Sequence, residues 1–352
     1  MPVTVPRRLA AASVLVIAAL GLSACAGSTA PGASSSTDSS SLSGTSITVY
    51  NAQHEELTQA WADAFTKKTG IEVVLRNGSD SELGNQIVQE GSASPADVFL
   101  TENSPAMSLV ENAGLLAPVD AATLANVPTQ YRPASGDWTG IAARSTVMVY
   151  NPSLISSDQL PTSIMDLQKP EWKGRWAASP TGADFQAIVS AILQEKGEDA
   201  TTAWLTAMKE NASAYKGNST VMKAVNAGEI PLGVIYHYYW FIDQAKTKEN
   251  SANTKLAYFG AQDPGAFVSV SGGGVLASSK NAAAAQQFLA FITGPDGQQV
   301  LRDGTSFEYA IGSDVASNPA LPPLSSLQPP AIDPSTLNSK KVTDLMTAAG
   351  LI

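Results

Sequence analysis

The chain has 352 residues, 44% of them hydrophobic and 15% charged. That is enough for about two domains of roughly 100–200 residues, and too apolar for a chain disordered throughout. Its net charge of −10 argues against nucleic acid or an anionic membrane as the main partner. One cysteine and two histidines exclude a thiolate zinc cluster and an H-E-x-x-H zinc helix. No G-x-S-x-G elbow or Walker loop is present, and no local signature of any other enzyme stands in their place.

The first 24 residues have the form of a targeting segment. Arg7 and Arg8 make a positive start, and Leu9 to Leu20 is an apolar run too short to span a bilayer. It ends in Leu22-Ser23-Ala24-Cys25, the pattern of a lipoprotein signal, in which small residues admit the peptidase and the thiol takes diacylglycerol. Cleavage before Cys25 removes two arginines and moves the net charge from −10 to −12 (−10 − 2). Residues 25–45 then read as a lipidated cysteine on a flexible Ser-rich tether, which places the protein on the outer face of the cytoplasmic membrane. With Cys25 acylated, no thiol is left for a disulfide.

From Ser46 onward strands and helices alternate. Ile47 to Tyr50 is β-rich, and Glu55 to Lys68 places Leu57, Trp61, Ala64 and Phe65 at helical spacing before Gly70. Ile71 to Leu75 is a strand, Ser81 to Glu90 a helix, Asp97 to Leu100 a strand and Ser104 to Asn112 a helix. This alternation predicts a parallel sheet covered by helices on both faces. Trp138 to Ile141 and Ser145 to Tyr150 are further strands, suited to cross into a second domain. Helices follow at Phe185 to Lys196, Asp199 to Asn211 and Thr220 to Ala227; Ile230 to Tyr236 is a strand, and Tyr239 to Lys248 a helix. Ser269 to Ala277 reads as a strand in which Gly272 to Gly274 permit a close backbone approach, without the spacing of a phosphate cradle. Asn281 to Thr293 is an Ala-rich helix ended by a turn at Pro295-Asp296-Gly297, and a Pro-rich tail leads to a last helix over Lys340 to Ala349.

Donor groups gather at strand ends. His54 follows the first strand, Glu102 follows Val98-Phe99-Leu100, and Tyr238 and Tyr239 follow the strand ending at Tyr236. In an open α/β sheet ligands bind beyond the carboxyl ends of the strands, so these groups face one crevice. Neighbours in a strand point to opposite faces, so the two tyrosines share a target only if the strand has ended. A ferric ion is a hard acid that favours anionic oxygen, and two phenolates with one carboxylate balance its charge. Adjacent tyrosines beside Trp240 and Phe241 are equally a core or stacking wall, a histidine after a strand is often only a cap, and Glu102 suits a helix start on dipole grounds alone. Pattern alone reaches a two-domain binding protein with an acidic, tyrosine-bearing cleft.

Four segments carry the reading further: Ile47-Thr48-Val49-Tyr50-Asn51-Ala52-Gln53-His54, Ser94 to Asn103 (Ser-Pro-Ala-Asp-Val-Phe-Leu-Thr-Glu-Asn), Tyr238-Tyr239-Trp240 and Gln262-Asp263-Pro264-Gly265-Ala266. In order and spacing, from about Ile47 to Tyr309, the chain resembles the ferric-ion-binding proteins of iron ABC importers. That resemblance implies an α/β, two-lobed periplasmic-binding-protein fold, type II-like, with two hinge strands. The lobes would comprise residues 46–145 with 265–315, and 146–264 with 316–352. It implies a monomeric carrier, not an enzyme, that delivers Fe3+ to an ABC permease and its ATPase. Carried over by position, the metal ligands are His54, Glu102, Tyr238 and Tyr239. A phosphate or carbonate anion is expected at Thr181-Gly182-Ala183, with Asn218 and Asn103 around it, where helix-start N–H groups suit an anion. The chain departs from the pattern at Tyr236-His237, where relatives carry asparagines, so one anion contact differs. The alternative is the same fold holding a small organic ligand (thiamine, a polyamine or a phosphonate) against the tyrosines.

Overall fold

The computed structural model describes residues 42–313 and 315–352; the signal segment, Cys25 and most of the tether lie outside them. The first half of the fold runs β1 (Ser46–Asn51), α1 (Glu55–Thr69), β2 (Glu72–Asn77), α2 (Asp80–Glu90), β3 (Val98–Leu100), α3 (Ser104–Asn112), β4 (Leu116–Ala117), α4 (Ala121–Ala125) and β5 (Thr139–Tyr150). The second runs β6 (Trp176–Ala178), α5 (Ala183–Asn211), β7 (Ala212–Ala214), α6 (Asn218–Ala227), β8 (Leu232–Tyr236), α7 (His237–Lys246) and β9 (Lys255–Ala257). The chain then returns through β10 (Val268–Leu276), α8 (Ala282–Thr293) and α9 (Pro295–Asp303), and closes with α10 (Ser339–Ala348).

The strand order is β2-β1-β3-β10-β5-β8-β6-β7, with β4 on β10 and β9 on β5. The expectation of a parallel sheet holds at the two wings, β2-β1-β3 and β8-β6-β7, where βαβ crossovers place helices over the faces. It fails at the centre, where β10 runs antiparallel to both β3 and β5, and β5 antiparallel to β8. These pairings join segments far apart in the chain, so no local pattern announces them. The two strands expected at 138–141 and 145–150 are one, because Ala142 to Arg144 pair along β10 and bury every residue of β5.

The three glycines sit where neighbours crowd β10. A Cβ on Gly273 would come within 2.7 Å of Leu289 and 2.9 Å of Ile141. Here α8 packs on the strand, and the close approach is structural. Pro295-Asp296-Gly297 opens α9 instead of turning the chain, since Pro at the first helical position loses no needed hydrogen bond. In α5 the helix is broken at Gly197 (φ 80°, ψ 174°), as its position between the two expected helices requires. Phe185, Ile188 and Ile192 of α5 are buried in one core with Tyr236 and Tyr238. Each such side chain contributes on the order of 1.5–3 kcal/mol of burial, which holds the start of α5 against the end of β8.

Candidate metal centre

All four predicted ligands come to one place. β1 ends at Asn51 and α1 begins at Glu55, leaving His54 in the joint; Glu102 follows β3; β8 ends at Tyr236 and α7 begins at His237. The helix therefore starts two residues earlier than its sequence pattern suggests, and both tyrosines lie in its first turn. With the strand's alternation ended, the neighbouring rings no longer point to opposite faces and stack at 4.2 Å between centroids. His54 meets Tyr238 edge-on at 4.7 Å. A cavity of about 660 Å³ opens onto these groups, with Glu55, Glu56 and Asp243 around it.

The two walls of this cleft differ. On one, His54 Nε2 lies 2.9 Å from Glu102 Oε1 and His54 Nδ1 3.4 Å from Glu308 Oε1. Arg144, fully buried on β5, donates from Nη2 to Glu308 Oε1 at 2.6 Å and to Ser271 Oγ at 2.9 Å. Its Nη1 is 3.7 Å from Glu102, and its guanidinium carbon lies 5.4 Å from the centre of the Tyr238 ring. Burial alone would push Glu102 up, but Arg144 and then His54 outweigh it and hold the carboxyl below its ordinary value. Burial alone would lower His54, but Glu308 and Glu102 raise it.

On the other wall, Tyr238 and Tyr239 both donate their hydroxyls to Asp184 Oδ2, at 3.2 and 3.0 Å. Asn218 Nδ2 donates to the same oxygen at 2.8 Å and Asn103 Nδ2 to Oδ1 at 3.1 Å. Asn103 in turn accepts from Ser269 Oγ at 2.8 Å and Tyr236 OH at 3.3 Å. Burial, then the charge of Glu102, pushes Asp184 up to about 6. Burial, followed by Asp184 and Glu102, drives both phenols well above their usual range, so neither ionises at neutral pH without a cation.

Asp184 is the residue that sequence reasoning missed. It is the second residue of α5, where an acidic side chain normally only complements the helix dipole. The one available signal was its place directly after Thr181-Gly182-Ala183. Of that expected anion turn, Thr181 is exposed, and the Gly182 N–H already donates to Ser179 O at 3.1 Å. Asn103 and Asn218, expected around an anion, meet the Asp184 carboxylate instead. His237 faces away: it is buried, stacks on Tyr309 at 4.7 Å, and accepts the Ser145 N–H on Nδ1 at 3.2 Å. Burial lowers it to about 3. Among the described residues no three carboxylate, imidazole or thiol side chains converge as a metal cluster, and five donors are reached here only by counting the phenols.

The profile of a bacterial extracellular solute-binding protein family matches residues 93–333, more than half of the chain. The chain belongs to this family. It is 69% identical over 306 residues to the Fe(3+)-binding periplasmic protein of Serratia marcescens, covering 87% of this chain and 90% of that one. The major ferric iron-binding protein of Neisseria meningitidis serogroup B is 38% identical over 308 residues, with 87% and 93% covered. Among solved structures, iron-bound HitA from Pseudomonas aeruginosa has a TM-score of 0.81 at 42% identity, covering 87% of this chain and 99% of that one. A ferric binding protein from Campylobacter jejuni has a TM-score of 0.79 at 26% identity, with 86% and 99% covered. The fold is thus the two-lobed α/β fold of the periplasmic ferric-binding proteins.

Proposed function

We propose that the protein is an extracytoplasmic carrier that closes on one ferric ion and passes it to an ABC permease, catalysing no reaction. The observation that carries this reading is the convergence of two adjacent phenols on one carboxylate oxygen, with a histidine and a second carboxylate facing them. This is a hard, oxygen-rich donor set, suited to a small trivalent cation and poor for a soft one. His54, Glu102, Tyr238 and Tyr239 are read as ligands. The high phenol pKa values give the site a proton lock: the ion enters by displacing protons that no weaker acid removes.

Asp184 is read as standing where a phosphate or carbonate was expected, and as a fifth donor. Two phenolates and two carboxylates already exceed the charge of Fe3+ by one, so a further dianion would bury uncompensated charge. The carboxylate sits at the start of α5, the place where a free anion would otherwise be drawn. The lipobox at Cys25 suggests that the carrier stays tethered to the membrane, which acyl labelling of the native chain and of Cys25→Ala would test.

The test of function is an iron titration followed by visible absorption. A tyrosinate-to-iron charge-transfer band is expected to grow to one equivalent in phosphate-free buffer. A protein that stays colourless with iron yet binds an organic amine would overturn the reading.

A further inference from the structure

Glu308 has no place in any expectation drawn from the sequence, yet it is among the most tightly held groups near the cleft. It is fully buried. Its Oε1 takes the Arg144 guanidinium at 2.6 Å and its Oε2 accepts from Gln53 Nε2 at 3.1 Å. Its neighbour Tyr309 forms a two-hydrogen-bond bridge with Ala143, at 2.8 and 3.0 Å, so the backbone that carries Glu308 is pinned beside the backbone that carries Arg144. His54 Nδ1 lies 3.4 Å from the same Oε1, so this buried carboxylate is the group that faces that side of the ring. The opposite nitrogen, Nε2, faces Glu102 Oε1 at 2.9 Å, and the ring as a whole lies edge-on to Tyr238.

An imidazole has one lone pair to give when neutral, and the hydrogen bond at one nitrogen decides which nitrogen keeps it. We propose that Glu308 is the positioning residue of the metal site: clamped by Arg144 and Gln53, its carboxylate takes the Nδ1 proton of His54 in a hydrogen bond and so presents Nε2, bare, to the ion. This inference rests on the reading of His54 as a ligand. Glu308 itself touches no ion; it acts through the ring. The second histidine provides the internal contrast, because His237 accepts a backbone N–H on Nδ1 and must carry its proton on Nε2. The two imidazoles are therefore assigned opposite tautomers.

Nitrogen-15 NMR of histidine-labelled protein loaded with Ga3+, a diamagnetic stand-in for Fe3+, reads this directly, with His54→Ala assigning the two rings. The expected result is a His54 ring with Nε2 on gallium and a proton on Nδ1, beside a neutral His237 protonated on Nε2. The second measurement is iron affinity by chelator competition in a double-mutant cycle. Glu308→Gln is expected to weaken binding roughly 10–100-fold in the native chain, the usual cost of losing such an outer partner, and less than about twofold further in His54→Ala. Gallium on Nδ1, or an equal loss in both backgrounds, overturns the proposal. A His54 with neither nitrogen on gallium, and a His54→Ala chain of unchanged affinity, overturns the ligand reading beneath it. Should Glu308→Gln fail to fold, the NMR measurement on the native chain decides alone.

Discussion

The two walls of the cleft face one cavity with opposite preparations. The His54 wall is ionic before any metal arrives: Glu102 is held charged by Arg144 and His54, and Glu308 is paired with a buried guanidinium. The tyrosine wall is protonated, its two phenols donating to Asp184 and its charge concealed in hydrogen bonds. One wall therefore attracts a cation and the other must be converted by it. What differs is not residue type alone but the compensation available: an arginine stands behind the first wall, while amides from Asn103 and Asn218 stand behind the second.

Breaking the tyrosine wall has the largest expected effect. Tyr238→Phe and Tyr239→Phe each remove a direct donor, so iron affinity should fall by more than the roughly 10–100-fold typical of an outer partner, with the visible band weakened in each and lost in the double variant. Retention of the full band in either variant would remove that tyrosine from the ligand set. Asp184→Ala should weaken binding next most strongly and, unlike the native chain, should regain affinity when phosphate is added, because removing the carboxylate opens space at the start of α5 for an anion. If the Asp184→Ala variant proved indifferent to phosphate, the internal-anion reading would be contradicted.

Acid sharpens the contrast. Protons compete for phenolates and carboxylates, so the loaded protein should lose iron and colour together as pH falls toward the ordinary carboxylate range. Iron held well below the ordinary carboxylate range would refute the ligand set.

The smallest effect concerns stability without iron. Asp80, which accepts the Glu102 and Asn103 N–H groups at 2.9 and 3.0 Å, is raised by burial and then by Glu102 to about 8. A carboxyl raised on folding binds more protons folded than unfolded, so its contribution is full below its unfolded value near 3.8 and declines as pH rises toward 8. Asp184, raised to about 6, acts in the same direction over a narrower window. The melting temperature of the iron-free protein should therefore drop between about pH 4 and 8, and Asp80→Asn should flatten that drop. An unchanged slope would show that Asp80 does not titrate there.

The sequence by itself determined the periodic elements of the two wings, the position of His54 and Glu102 at strand ends, and the need for the strand to stop before Tyr238 and Tyr239. Those are consequences of local spacing and backbone geometry, which a short window contains. It also marked Gly272 to Gly274 as a place of close packing, which Leu289 and Ile141 explain. Only the tertiary structure decided the antiparallel centre of the sheet, the convergence of both phenols on Asp184 from 54 and 55 residues away, and the union of Arg144 with Glu308 across 164 residues. The reason is electrostatic as much as geometric. Whether a carboxylate is a helix-start ornament, a counter-ion or a metal donor depends on what is buried with it, and burial is a property of the folded chain rather than of any stretch within it.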